Sequence, residues 1–135
     1  MKTLSLMAVL TLLAAPALAE GDAAKGADTF KKCKSCHSIV APDGTAVVKG
    51  GKIGPNLFGV IGRAVASFPD FKYGAGILAV GAKGVIWDQA MLAAYLADPS
   101  AWLKLQAGPD TGASKMAFKL TAGAEDVAAY LASIE

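Results

Sequence analysis

Cys33-Lys34-Ser35-Cys36-His37 is a C-x-x-C-H run, and it holds both cysteines and the single histidine of a 135-residue chain. Two thiols spaced by two residues reach the two vinyl groups of one porphyrin, and the next residue then sets an imidazole nitrogen under the iron. Five residues thus supply two covalent bonds and one axial ligand, the attachment signature of a c-type haem. Competing chemistries fit less well. A thioredoxin-like redox pair sits in a βαβ context, whereas Ala23, Ala27 and Phe30 recur at helical spacing ahead of Cys33 with no strand before them. Structural zinc takes four ligands, and beyond these three the chain offers no Cys or His. A plain disulfide leaves His37 without a role.

The N-terminus agrees with that reading. Lys2 is a positive n-region, Leu4 to Leu13 is an apolar run, and Ala17-Leu18-Ala19 is an A-x-A cleavage site before Glu20. Residues 1–19 read as a signal peptide that is cleaved, because a membrane span needs about 20 apolar residues and Pro16 follows the run closely. Export to the periplasm suits thioether attachment, which bacteria complete outside the cytoplasm. Residues 20–135 then form one domain, expected to be monomeric, with no membrane span of its own. A core of that size gains from a covalently held haem at its centre.

Of thirteen basic side chains Lys2 leaves with the signal, so twelve remain against eleven acidic ones. Two haem propionates and the iron bring the total near neutrality. Nucleic-acid binding is excluded for want of a basic stripe, and any steering of a partner depends on how the charges are placed.

The rest of the chain reads as an all-α fold of helices and loops, without a convincing strand. Asp22 caps a first helix running through Lys32, with an Asp28–Lys32 pair at i,i+4 and Gly26 at its middle. From Thr121 a last helix sets Val127, Tyr130, Leu131 and Ile134 on one face. The two are expected to cross at Gly26. A third helix spans Asp88 to Ala97 with Met91, Leu92, Tyr95 and Leu96 inward. Asp98 caps and Pro99 begins another through Leu105. Ile39 to Gly84 is irregular, with turns at Asp43-Gly44, Gly50-Gly51 and Phe68-Pro69-Asp70. So long a loop in a small domain needs something to pack against, and a haem is that something.

The sixth iron ligand decides the chemistry. Met91 and Met116 are the methionines outside the signal. Met91 has an ordinary core role one turn before Tyr95, whereas Met116 follows the Gly108 to Lys115 loop and is favoured as the ligand opposite His37. An open site stays as the alternative, and would make a haem enzyme or a gas-binding sensor.

Gly54-Pro55-Asn56-Leu57-Phe58-Gly59-Val60-Ile61-Gly62-Arg63, Trp87, Tyr95-Leu96 and Ser114-Lys115-Met116-Ala117-Phe118, in that order after C-x-x-C-H, resemble class I cytochrome c, and most nearly bacterial cytochrome c2. The resemblance covers essentially the whole of residues 20–135. It implies the class I fold wrapped around one covalent haem c, with His37 and Met116 as axial ligands of the iron. By similarity the Pro55 carbonyl accepts the other ring N–H of His37. Arg63, Tyr73 and Trp87 lie at the propionates, and Tyr95 near the Met116 sulfur. Ile77 departs from the pattern where mitochondrial relatives often carry Asn, and the stretch from Lys104 to Ser114 is longer than theirs.

The implied activity is electron carriage rather than catalysis, by transient docking to membrane complexes: a bc1 complex as donor, and a photosynthetic reaction centre or cytochrome oxidase as acceptor. Lys32, Lys34, Lys52, Lys104, Lys115 and Lys119 flank the segments expected around the haem edge and are the candidate docking cations. A third expectation is a docking subunit within a larger dehydrogenase.

Overall fold

A computed structural model describes residues 21–134, so the expected signal peptide and its cleavage site lie outside the described residues. Among these residues the chain forms five α-helices, α1 (Ala23–Thr29), α2 (Ala75–Gly81), α3 (Gln89–Ala97), α4 (Pro99–Ala107) and α5 (Ala124–Ala132). A short hairpin pairs β1 (Ile39–Val40) with β2 (Ala46–Val48).

Helix α1 begins where Asp22 turns its carboxylate back onto the N–H groups of Ala24 and Lys25, satisfying two donors that the first turn leaves free. It tightens into a 3-10 turn, Phe30–Lys32, that delivers Cys33. Asp28 pairs with Lys31 at 2.8 Å rather than with Lys32, the neighbour expected at i,i+4. The crossing with α5 falls at Gly26 as the sequence suggests. A Cβ there would overlap the Asp126 carbonyl and lie 2.8 Å from the Tyr130 Cβ, so only glycine lets the two backbones approach this closely. Phe30 stacks at a tilt on the partly buried Tyr130, centroids 5.6 Å apart, and Phe30, Val127 and Leu131 are fully buried in this seam. Each such side chain contributes about 1.5–3 kcal/mol on burial.

Asp88 caps α3 through the Met91 N–H at 2.6 Å. Asp98 then serves two helices: it ends α3 and accepts the Ala101 N–H of α4 at 3.0 Å, with Pro99 in the first turn. Helix α4 runs two residues beyond the expected Leu105, so the segment read as a loop from Lys104 begins as helix and contains a 3-10 turn, Pro109–Thr111.

Two elements escape the sequence reading. Helix α2 lies inside the stretch taken as irregular; its cap is Gly74, which has no side chain to signal a start. The hairpin overturns the expectation of no strand. Its strands are two and three residues long, too short for alternation to register, and the side chain of Asn56 takes the place of a third strand. It accepts the Val40 N–H at 2.9 Å and donates to the Val40 carbonyl at 2.7 Å.

The layers leave one deep cleft. Helix α5 packs on both α1 and α3, and α4 packs on both α3 and α2. Residues 62–65 run antiparallel to 85–87 across the floor, with Trp87 N–H donating to Arg63 and Val65 N–H to Val85.

Candidate haem site

The cleft has a volume of about 790 Å³, and Cys33, Cys36, His37 and Met116 all line it. The C-x-x-C-H segment folds as a tight turn in which the N–H groups of Cys36 and His37 both donate to the Cys33 carbonyl, at 3.1 and 2.9 Å. That turn puts both thiols, which are free, on the cleft side with the imidazole. Burial pushes the Cys33 thiol pKa up, so it is protonated at neutral pH.

His37 is buried, and its Nδ1 lies 2.8 Å from the Pro55 carbonyl oxygen. A carbonyl only accepts, so Nδ1 carries the proton and Nε2 the free lone pair. Burial also draws the imidazole pKa below its usual 6.5, against a smaller opposing effect of the Pro55 bond, and this keeps the ring neutral. Gly54 lies flat against the ring. A Cβ at that position would come within 2.6 Å of both ring nitrogens. The resulting group is a neutral, oriented imidazole facing an apolar cavity, the form in which histidine binds a metal.

Met116 sits on the same cleft, whereas Met91 packs partly buried against the core and does not line it. Ile77 also reaches the cleft, so an apolar side chain occupies that wall.

The remaining residues expected from the sequence are on the cleft as well, with contacts that similarity alone did not specify. Arg63 gives one N–H to the Asn56 carbonyl at 3.0 Å and another to the Phe58 carbonyl at 3.3 Å, and its guanidinium lies 5.2 Å from the Phe68 ring centroid. Three further donors of the fork remain. Tyr73 accepts the Phe68 N–H through its hydroxyl oxygen at 3.2 Å, which leaves its own proton to donate. Trp87 stacks on Trp102 with centroids 5.1 Å apart, and Tyr95 closes the cluster edge-on to Trp102. The Tyr95 hydroxyl lies 3.3 Å from the Ser114 Oγ, which also accepts the Met116 N–H at 3.1 Å. Burial raises the Tyr95 pKa, so it stays protonated.

The six candidate docking lysines are all exposed but not equivalent. Lys115 alone among them lines the cleft, and its ammonium donates to the Lys72 and Tyr73 carbonyls at 3.2 and 3.5 Å. Lys119 is ion-paired with Asp98 at 2.6 Å. Lys32, Lys34, Lys52 and Lys104 make no ion pair with a described residue. Lys72, not singled out in the sequence, also lines the cleft.

Ser114 and Asn56 lie within the motifs that carry the resemblance but have no task implied by it, and Ser100 lies outside them. A Ser two residues before a candidate ligand is the available signal for the first. For Ser100 no local pattern exists.

These observations test whether a haem fits. A porphyrin is a flat apolar disc with two carboxylates on one edge. The walls offered to it are Leu92, Leu96, Leu103, Val127 and Leu131, the thiols and imidazole stand on the cleft, and donors at Arg63 and Tyr73 open onto it. The residues fit the group.

No protein-family model matches the chain. Cytochrome c2 of Rhodobacter capsulatus is 56% identical over 123 residues, covering 91% of this chain and 89% of that protein. Cytochrome c-550 of Paracoccus versutus is 54% identical over 89% of this chain and 80% of its own length. The solved structure of the Rhodobacter protein superposes with a TM-score of 0.81 at 55% identity, over 84% of this chain and 97% of that one. The ferric Paracoccus versutus structure gives 0.82 at 52% identity, over 85% and 98%.

Proposed function

The chain belongs to the class I c-type cytochromes, close to cytochrome c2, with one covalent haem c as its cofactor, and from that premise we propose that it shuttles single electrons in the periplasm. It is a mono-haem electron carrier, and its proposed route runs from a bc1 complex to a photosynthetic reaction centre or terminal oxidase. The haem supplies an iron that takes up and releases one electron between its ferric and ferrous states.

The protein's own groups do the rest. Cys33 and Cys36 would hold the cofactor through two thioethers, and His37 Nε2 and the Met116 sulfur would bind its iron. The Pro55 carbonyl holds the His37 proton on Nδ1 and keeps the ring oriented through both oxidation states. The soft Met116 thioether favours the reduced iron and gives a comparatively high potential. Arg63, Tyr73 and Trp87 serve the propionates, and Tyr95 stays protonated beside the Ser114 hydroxyl. The apolar walls exclude water, so little solvent reorganises as the charge changes. The exported protein is residues 20–135, a single monomeric domain freed by cleavage after Ala19. No helix among the described residues is long and apolar enough to cross a membrane.

The observation that carries this reading is the neutral imidazole, fixed by Pro55, on the same cleft as Met116. Its test is a reduced-minus-oxidised spectrum with a potentiometric titration and a carbon monoxide challenge. A reversible one-electron couple and no carbon monoxide uptake by the reduced protein at neutral pH are expected. Prompt stoichiometric uptake would overturn it in favour of a haem enzyme or gas sensor.

A further inference from the structure

Residues 112–119 carry the candidate sixth ligand, yet among the described residues no backbone-to-backbone hydrogen bond holds them. The last such bond before them is Thr111 N–H to the Gly108 carbonyl at 3.3 Å, and the next after them is Leu120 N–H to the Leu96 carbonyl at 2.9 Å. Gly112, at φ 73°, adds a joint without a side chain. An eight-residue segment without main-chain partners of its own is held by whatever side chains reach it.

Three hydroxyls do so in series. The Ser114 N–H donates to the Ser100 Oγ at 2.9 Å, the Met116 N–H donates to the Ser114 Oγ at 3.1 Å, and the Tyr95 hydroxyl lies 3.3 Å from that same Ser114 oxygen. Tyr95 and Ser114 line the cleft, but Ser100 does not. It is the second residue of α4, directly after the buried Pro99 and within the turn capped by Asp98. Its oxygen is therefore fixed by a rigid element outside the cavity. Because the amide held by Ser100 and the hydroxyl that receives the Met116 amide both belong to Ser114, holding the first also holds the second.

We infer that Ser100 is a positioning residue for the axial methionine: its hydroxyl anchors Ser114 to α4, and through Ser114 governs how often Met116 swings away from the iron. This rests on Met116 being the sixth ligand. Without the Ser100 oxygen the half-buried Ser114 amide has no acceptor, and the segment regains one by opening to water.

The test uses the holoprotein with S100A and S100T, and free imidazole as the competing ligand for the ferric iron. Alanine is the strongest helix former, so α4 is not at risk in S100A. S100A should retain the sulfur-to-iron charge-transfer band, yet bind imidazole roughly tenfold more tightly and exchange the Ser114 amide roughly tenfold faster, as expected for one lost buried hydrogen bond. S100T, which keeps the hydroxyl, should behave as the unsubstituted protein. An S100A indistinguishable from it, or an S100T that behaves like S100A, would overturn the role of the hydroxyl. If the unsubstituted protein lacks the charge-transfer band, Met116 ligation falls and this inference with it; if the band is present and S100A is silent, only the inference falls.

Discussion

The two walls of the cleft are held by different means. On the His37 side the main chain does the work: Gly51 N–H donates to Lys34 and Gly54 N–H to Cys36, both at 2.8 Å, Leu57 N–H donates to Ser38 at 3.0 Å, and glycines let these strands lie in contact. On the Met116 side the work falls to Ser100, Ser114, Lys115 and Lys119. A wall of backbone bonds is rigid and nearly indifferent to side-chain changes unless they add bulk. A wall of side-chain bonds gives way one substitution at a time. Under the proposed ligation, His37 is the fixed ligand and Met116 the one whose release is adjustable.

The largest expected effect comes from adding bulk to the rigid wall. Gly54→Ala drives a Cβ into the His37 ring and should cost about 3 kcal/mol, the upper part of the range for overpacking. Urea unfolding would measure it, and a loss below about 0.5 kcal/mol, the scale of ordinary surface changes, would break the contrast. Met116→Ala acts on the other wall and should leave the fold intact while lowering the potential and letting carbon monoxide bind the reduced iron. An unchanged spectrum would point to Met91 or to no methionine ligation.

Smaller effects sharpen the comparison. Lys115→Met removes the donor to the Lys72 and Tyr73 carbonyls and should raise amide exchange across residues 112–118 by roughly fivefold, the scale of one net hydrogen bond. Lys34→Met should leave those amides unchanged. Next is pH. The Lys119 hydrogen bond and the Ala101 N–H hold the Asp98 carboxyl below its usual 3.8. A carboxyl with a lowered folded pKa stabilises the fold above its unfolded value and loses that contribution as the pH falls through the folded one. The stability difference between the unsubstituted protein and Asp98→Asn should therefore be constant from neutrality to about pH 4 and shrink below it. A difference that does not shrink as the pH falls below about 4 would refute the assignment.

The smallest expected effect is in docking. Association with the acceptor should slow with salt, since exposed charges are screened over about 10 Å at 0.1 M. Charge reversal at Lys34 should slow it more than reversal at Lys83, whose ammonium is engaged by the Gln106 carbonyl. Equal effects, or no salt dependence, would make the contact apolar.

Much of this was legible in the chain because the informative residues are local. C-x-x-C-H compresses its chemistry into five positions, Asp22, Asp88 and Asp98 announce their helices by capping them, and Gly26 marks the crossing because a mid-helix glycine needs a reason. Helix α2 was not legible: Gly74 offers no cap and Gly76 and Gly81 lower its propensity. Arg63 was read by similarity as a partner for a propionate, but its hold on the Asn56 and Phe58 carbonyls depends on how a loop closes, which spacing does not encode. Ser100 was illegible for the same reason, since its partner lies fourteen residues away across a loop.

The seam between α1 and α5 also orders events in time. The Asp22 amide bonds the Asp126 carboxylate across 104 positions of sequence, so the contact that closes the molecule is among its most distant along the chain. Closing so long a loop comes late, after local helices have formed. A chain emerging from its N-terminal end therefore exposes Cys33 and Cys36 well before α5, whose Val127 and Leu131 line the same cleft, exists. The thiols are thus open to chemistry before the cleft takes shape around them.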